Sequence, residues 1–141
     1  MPIEILLAED APGDVRLTFE AFKKTTIDSH LNVVKDGAAA LDFLYQKGSY
    51  TDAKRPDLIV LDLNIPKING HEVLAQVKSD PNLKRIPVVI LTSSNNPEDI
   101  QRAYNAHANC YLLKPNELKD FFEVIRAIED FWLSLVKLPP S

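Results

Sequence analysis

Short, continuous apolar runs set the hydrophobicity pattern of this chain. Four of them end in or next to side chains that can carry chemistry, and they cover residues 5–8, 58–63, 88–91 and 110–113. A weaker run lies at residues 31–34. Apolar runs of this length are typical of strands that are covered on both faces, as in a parallel sheet. The pattern therefore predicts five strands, and the segments between them predict helices.

The segments between the strands carry helix and turn signals. Pro12 opens the first helix, for which Asp14 is the predicted N-cap, and Pro97 opens the fourth. The stretches at 48–56 and 64–70 predict loops, the second of them functional. The predicted strands cover residues 3–8, 31–34, 58–63, 88–91 and 110–113, and the predicted helices cover residues 12–22, 38–45, 71–79, 97 onward and 117–136.

Strands that alternate with helices favour right-handed crossovers and a doubly wound α/β fold. We expect a (βα)5 architecture with five parallel strands in the flavodoxin-like order 2-1-3-4-5, an order taken by analogy. In that order the switch point lies between the first and third strands. We further expect one domain over residues 1–141, with a tail at 137–141 and no output domain.

Composition excludes several classes of function. The 16 basic and 20 acidic side chains give a net charge of −4, and no basic run predicts a nucleic-acid partner. No apolar segment is long enough to predict a membrane span, and the N-terminus lacks a secretory signal. The single cysteine, Cys110, cannot form an internal disulfide and is predicted to be a small core side chain. These features predict a cytoplasmic protein.

Three carboxylates are predicted to meet at the switch point. Glu9 and Asp10 follow the first strand, and Asp62 lies at the end of the third. At about 5.5 Å and an effective dielectric of ~20, each ionised pair would repel by roughly 3 kcal/mol. A hard divalent cation, Mg²⁺ or Mn²⁺, would relieve that repulsion. Asp10 and Asp62 can ligate it directly, Glu9 through water, and Asn64 through its carbonyl oxygen.

The same edge of the sheet is equipped for phosphoryl transfer. A carboxylate can attack phosphorus to give an aspartyl phosphate, and Asp62 is the best-placed nucleophile. Lys114 can neutralise a phosphoryl oxygen, and Thr92 or Ser93 can donate a hydroxyl hydrogen bond. The chain has only four glycines and no Gly-rich phosphate loop. The expected donor is therefore a phosphoprotein or a small phosphodonor rather than a bound nucleotide.

The chain resembles the receiver domain of two-component response regulators. The resemblance spans roughly residues 3–130 and is carried by ILLAED, PDLIVLDLNIPKING, IPVVILTS and YLLKP. It implies phosphorylation of Asp62 by a partner histidine kinase, with magnesium held by Asp10, Asp62 and the Asn64 carbonyl. It also implies that Thr92 and Lys114 contact the phosphoryl group and that Tyr111 is a rotating switch residue. It further implies a cis bond between Lys114 and Pro115.

Narrower similarities point to a subgroup. The segments PGDVRL, HANCY and EDFWL resemble receivers that pair with bacterial, especially cyanobacterial, phytochrome kinases. One departure is Ala106-His107-Ala108, where receivers commonly carry Ala-Gly-Ala. We expect His107 to be a turn residue with positive φ, and we assign no chemistry to His30 or His71.

The last helix predicts an interaction surface. Its apolar residues span about half of the helical circumference, which exceeds what one core-facing stripe needs. The excess edge is formed by Val124, Phe131 and Leu135. We expect a homodimer built on the fourth helix, fifth strand and fifth helix; alternatively, the Leu138-Pro139-Pro140 tail covers this edge. The downstream target is expected to be a protein.

Other functions remain open at this point. A constitutive interaction module with a vestigial site is the main alternative, although the complete set of site residues speaks against it. A phosphohydrolase would need an acid two residues after the nucleophile, where Asn64 stands. A flavin-binding domain of similar topology is a further option. The leading prediction is a receiver that catalyses only its own phosphorylation and dephosphorylation.

Overall fold

The computed structural model describes residues 2–24 and 27–140 of the chain. The strands are β1 (Ile3–Ala8), β2 (Ser29–Val34), β3 (Leu58–Leu61), β4 (Val88–Thr92) and β5 (Cys110–Leu113). All are parallel and form one sheet in the spatial order β2-β1-β3-β4-β5. This order confirms the predicted doubly wound, flavodoxin-like class and places the switch point between β1 and β3.

A helix follows each strand. The helices are α1 (Pro12–Lys23), α2 (Gly37–Leu44), α3 (Gly70–Ser79), α4 (Pro97–Asn105) and α5 (Leu118–Ile128). The predicted loop at 48–56 begins with a 3₁₀ turn at Gly48–Tyr50. The predicted long last helix is regular only to the end of α5 and continues as a π-helical segment, Glu129–Leu135. Within the described part of the chain, no helix is long and apolar enough to cross a bilayer.

The sheet separates two apolar cores, because alternate residues of a strand point to opposite faces. In β1, Leu6 and Ala8 pack into one core, and Ile5 and Leu7 pack into the other. Helices α2, α3 and α4 cover the first face, and α1 and α5 cover the second. Burial on both faces explains why the strands have continuous apolar sequences.

Side-chain caps fix the start of three helices at the edge where the strands end. Asp36 caps α2 by accepting a hydrogen bond from the Ala39 N–H. Asn69 and Asn96 cap α3 and α4 in the same way. Each cap satisfies a backbone donor that the first turn of a helix leaves free. The caps therefore hold the helix starts around the candidate site.

The turn before β5 confirms the prediction for His107. Its φ of 72° lies in the left-handed region. The N–H of His107 donates to the carbonyl oxygen of Tyr104, and the N–H of Ala108 donates to that of Ala103. This pattern ends α4 with a left-handed residue, a position that usually favours glycine.

Two local predictions at the site are wrong. Asp14 does not cap α1: the N-cap is Ala11, without a side-chain cap, and Asp14 lies inside the first turn. Its carboxylate is instead 2.9 Å from Nζ of Lys114. The predicted cis bond between Lys114 and Pro115 is also absent, since every peptide bond of the described residues is trans. The cis and trans forms before proline differ by only about 0.5–1 kcal/mol, so sequence alone cannot decide between them.

Gly70 generates a prediction about stability. A Cβ there would lie 2.3 Å from the carbonyl oxygen of Asp62 and 2.6 Å from Cα of Leu63. We expect Gly70→Ala to lower the free energy of unfolding by about 1–3 kcal/mol, because the backbone must move to admit the methyl group. Urea denaturation measures the change. Gly13→Ala is the matched control, since Gly13 is also in a first helical turn and a Cβ there meets nothing within 4 Å. Equal losses in the two variants would contradict this account.

Candidate functional site

The sheet brings the predicted carboxylates together at the ends of β1 and β3. Ala8 pairs with Leu61, so the next residues, Glu9 and Asp62, lie side by side. Glu9, Asp10 and Asp62 each offer an oxygen atom, and these atoms lie within 4.8 Å of one another. Glu9 and Asp62 are buried, whereas Asp10 is exposed. One open side of the cluster is thus formed by a carboxylate that solvent can reach.

Lys114 supplies the positive charge at the centre of this cluster. Its Nζ atom lies 2.8 Å from Oδ2 of Asp62 and 2.9 Å from Oδ2 of Asp14, and it forms an ion pair with Glu9. The backbone N–H of Lys114 donates to the Thr92 carbonyl oxygen at 2.8 Å, which fixes the residue at the end of β5. The ammonium group therefore contacts three carboxylates from three different segments of the chain.

Burial and charge act against each other on these side chains. Burial, with the nearby Asp62 charge, raises the pKa of Glu9 to about 7 although Lys114 opposes the shift. Burial also disfavours the charged form of Asp62, but hydrogen bonds from Lys114, Asn64 and Thr92 outweigh it and lower the pKa. In the same way, the carboxylates outweigh the burial of Lys114 and raise its pKa. At neutral pH the cluster holds an ionised Asp62 and a charged Lys114.

Asn64 and Thr92 complete the surroundings of Asp62. The Asn64 N–H donates to Oδ1 of Asp62 at 3.2 Å, so the start of the following loop already binds the carboxylate. Thr92 is fully buried at the end of β4, and its hydroxyl helps to lower the pKa of Asp62. Both residues stand beside Asp62, as the sequence predicted.

Tyr111 points toward the loop between β4 and α4. Its hydroxyl donates to the carbonyl oxygen of Ser94 at 2.8 Å, and its ring packs against the core under α2, α3 and α4. The ring is half-buried. Tyr111 is thus already linked to the segment that begins two residues after Thr92.

The three predicted interface residues lie away from this site. Val124 is half-buried and packs against the core under α1 and α5. Phe131 is 51% exposed and Leu135 is 76% exposed, both in the π-helical segment. Asp14 is the site residue that sequence reasoning missed. The available signal was its position in the first turn after β1, which places it at the same edge of the sheet.

The residues present fit a hard divalent cation. Three carboxylates within 4.8 Å provide oxygen ligands, and the exposed Asp10 leaves room for water molecules in the coordination shell. Sulfur and imidazole, which favour softer metals, are absent from this three-carboxylate set. Such an ion would share with Lys114 the task of neutralising the carboxylates.

The chain belongs to the response regulator receiver family. The model of the response regulator receiver domain matches residues 5–126. The family consists of signalling receivers rather than classical enzymes, and its members act with a histidine kinase. The fold, the carboxylates at the ends of β1 and β3 and the lysine after β5 agree with that membership.

Two members of the family are similar to this chain over almost its full length. Response regulator Rcp1 of Synechocystis sp. is 52% identical over 140 residues, which cover 99% of this chain and 95% of Rcp1. The crystal structure of the Mn²⁺-bound form of Rcp1 covers 99% of this chain and superimposes with a TM-score of 0.95. The phosphorylated cyanobacterial phytochrome response regulator RcpA is 48% identical, with 99% of this chain and 100% of RcpA covered and a TM-score of 0.96.

The raised pKa of Glu9 predicts a pH dependence of stability. Folding raises that pKa from 4.5 to about 7, so the stabilising contribution of the proton is complete below pH 4.5 and is lost as the pH rises through about 7. Glu9→Gln mimics the protonated side chain. At pH 8, in metal-free buffer with a chelator, we expect this variant to be more stable than wild type by on the order of 1–3 kcal/mol.

Urea denaturation at a series of pH values measures this difference. The two stability curves should converge toward pH 4.5 and separate toward pH 8. Glu20→Gln, on the exposed face of α1, is the matched control and should follow wild type. Parallel curves for wild type and Glu9→Gln would show that Glu9 does not titrate in this range.

Proposed function

We propose that this protein accepts a phosphoryl group on Asp62 from a histidine kinase of the phytochrome type, in the presence of Mg²⁺ or Mn²⁺. The observation that carries the proposal is the placement of Asp62. It is buried, its pKa is lowered, and it lies within reach of Lys114, Asn64 and two further carboxylates. The similarity to phytochrome response regulators supports the kinase class.

The residues of this chain suit each part of the transfer. An oxygen atom of Asp62 attacks the phosphorus, a new O–P bond forms, and the N–P bond to the kinase histidine breaks as the imidazole leaves. Lys114 exchanges its contact with the Asp62 carboxylate for one with a phosphoryl oxygen. Glu9, Asp10 and the Asn64 carbonyl would hold the metal ion with Asp62. The ion supplies positive charge against the phosphoryl oxygens.

The response to phosphorylation is a change of surface. Thr92 moves its hydroxyl toward the phosphoryl group and vacates space. Tyr111 then rotates inward, into the position in which its hydroxyl binds the Ser94 carbonyl, so α4 and β5 present a different face. To move such an equilibrium from 1:99 to 99:1 takes about 5.5 kcal/mol of differential interaction. New charge-assisted hydrogen bonds and metal contacts are of sufficient strength. The target of that face is a protein.

Two other functions are less well supported. A constitutive module with a vestigial site would have no need for an ionised, buried Asp62 next to Lys114, an arrangement that costs desolvation. A phosphohydrolase would need an acid at position 64, where this chain has Asn64. Self-catalysed loss of the phosphoryl group is the only hydrolysis that the proposal includes.

Phosphoryl incorporation tests the proposal. We expect wild type to take up label from radiolabelled acetyl phosphate only with Mg²⁺ or Mn²⁺, and Asp62→Asn to take up none because the nucleophilic carboxylate is lost. Asp57→Asn is the matched control, since Asp57 lies at the opposite end of β3, where its carboxylate accepts from the Glu4 N–H. Equal labelling of wild type and Asp62→Asn would overturn the proposal.

The partner class is tested with the same proteins. Mixed with an autophosphorylated bacteriophytochrome kinase, wild type should gain label as the kinase loses it, whereas Asp62→Asn should not. A histidine kinase with an unrelated sensor is the comparison. Faster transfer from the unrelated kinase would overturn the phytochrome assignment and leave the phosphoacceptor role intact.

We also propose that the chain self-associates through the face formed by α4, β5 and α5, extended by the π-helical segment. Large apolar side chains are exposed along it: Tyr104, Leu113, Leu118, Phe131 and Leu135. The Leu138-Pro139-Pro140 tail does not cover this edge, since Leu135 is 76% exposed and Phe131 is 51% exposed. Pro139 and Pro140 instead line a pocket with Arg55, Arg85 and Pro87.

Sedimentation tests the proposed dimer. The double variant Phe131→Ser/Leu135→Ser should weaken self-association by roughly tenfold or more, because two exposed apolar anchors are removed. Phe19→Ser is the matched control, since Phe19 is 40% exposed on α1, a helix that is not part of the proposed face. A wild-type monomer at high micromolar concentration, with and without a phosphoryl mimic, would refute the dimer.

A further inference from the structure

A chain of hydrogen bonds joins the start of α3 to Tyr111, and the proposed transfer chemistry does not use it. Nε2 of His71 lies 3.0 Å from Oδ1 of Asp99, in the first turn of α4. Oδ2 of Asp99 accepts a hydrogen bond from the Ser94 hydroxyl at 2.6 Å. The carbonyl oxygen of Ser94 accepts one from the Tyr111 hydroxyl at 2.8 Å. A continuous path thus runs from α3 through α4 to β5.

The burial of His71 indicates that its bond to Asp99 is specific. The residue is only 8% exposed, in a position where α3 packs beside α4. Within the described part of the chain, Nδ1 has no hydrogen-bond partner. Since an ionised Asp99 can only accept, Nε2 of His71 carries a proton and donates it to Asp99. The one polar contact that the imidazole makes there is directed at α4.

Asp99 is a bridge because both of its oxygen atoms are used. The Ser94 hydroxyl, and then His71, lower the pKa of Asp99, so the bridging group is a carboxylate. Hydrogen bonds to an ionised acceptor are roughly twice as strong as those between neutral groups. Asp99 thereby fixes Ser94 relative to both helices.

Ser94 is also connected to the phosphorylation site. It follows Thr92 by two residues, and its N–H lies 3.5 Å from the Thr92 hydroxyl oxygen. Any displacement of Thr92 toward a phosphoryl group therefore acts on the residue that Asp99 holds and that Tyr111 binds. The hydrogen bonds that run from His71 through Asp99 and Ser94 to Tyr111 are called the brace here. They restrain the segment that follows Thr92.

We propose that His71 and Asp99 are positioning residues for the switch, because they hold Ser94 where its carbonyl binds Tyr111 and so favour the inward position of that ring. The inference rests on the proposed function. Ligand binding and a conformational state that it favours stabilise each other reciprocally. The brace therefore raises the affinity of the site for a phosphoryl mimic although neither residue touches that site.

Two variants of His71 separate positioning from packing. His71→Phe keeps a ring of similar volume but loses the Nε2 donor. His71→Gln keeps a donor that can reach Asp99 but loses the ring. The probes are beryllofluoride with Mg²⁺, as the phosphoryl mimic, and the ¹⁹F resonance of Tyr111 in fluorotyrosine-labelled protein. The chain has four tyrosines, and Tyr111→Phe identifies the signal.

We expect His71→Phe to weaken beryllofluoride binding by about tenfold, the effect of losing roughly one charge-assisted hydrogen bond. The Tyr111 resonance should shift toward that of a solvent-exposed ring, and His71→Gln should restore both values toward wild type. Asp99→Ala gives the same result by an independent route, since the Asp99 side chain is 35% exposed and its loss leaves the core intact. This variant decides the question if His71→Phe does not fold.

Wild-type affinity and an unshifted Tyr111 resonance in both His71→Phe and Asp99→Ala would overturn the brace. Loss of function in His71→Gln equal to that in His71→Phe would also overturn it, because packing alone would then explain the effect. Failure of the proposed function has a different signature, in which wild type itself does not bind beryllofluoride or binds it as well as Asp62→Asn does.

Discussion

The site depends on the ion pairs that the ammonium group of Lys114 forms with three carboxylates. Three carboxylates, from the ends of β1 and β3 and from the first turn of α1, surround one buried cation. Without it, the cluster would combine burial with mutual repulsion, and its acids would have to bind protons. With it, Asp62 stays ionised although it is buried. A buried carboxylate at the centre of the sheet is thus kept ionised by a lysine that follows the last strand.

This dependence links the fold to the chemistry. Lys114 reaches the cluster because β5 lies beside β4 and because its N–H is bound to the Thr92 carbonyl. Asp62 is next to Glu9 because Ala8 pairs with Leu61. Parallel pairing therefore builds the core and also brings residues that are far apart in sequence to within hydrogen-bonding distance of each other. The helix caps at the same edge of the sheet restrict the loops in which the capping residues lie.

The sequence allowed the sheet and the main site residues to be predicted because both follow from one pattern. Apolar runs give the strands, and polar residues at the ends of those runs must lie at one edge when the strands are parallel. Rules for helix caps and helix regularity predicted less of the structure. Asp14 has the residue type of an N-cap, but its carboxylate contacts Lys114, which is 100 residues away along the chain. The π-helical segment was missed because a wheel with a regular helical period assumes regular geometry. His71 received no role because its partner, Asp99, is near it only in the folded chain.

The elevated pKa of Glu9 has a consequence for the ionic conditions under which the receiver operates. Near neutral pH, part of the population carries a proton on this carboxyl group. A divalent ion binds carboxylates in their ionised form, so its uptake displaces that proton into the solvent. Metal occupancy would then rise with pH, and the calorimetric heat of metal uptake would depend on the ionisation enthalpy of the buffer. A proton and a divalent ion would therefore compete for a single side chain at the end of the first strand.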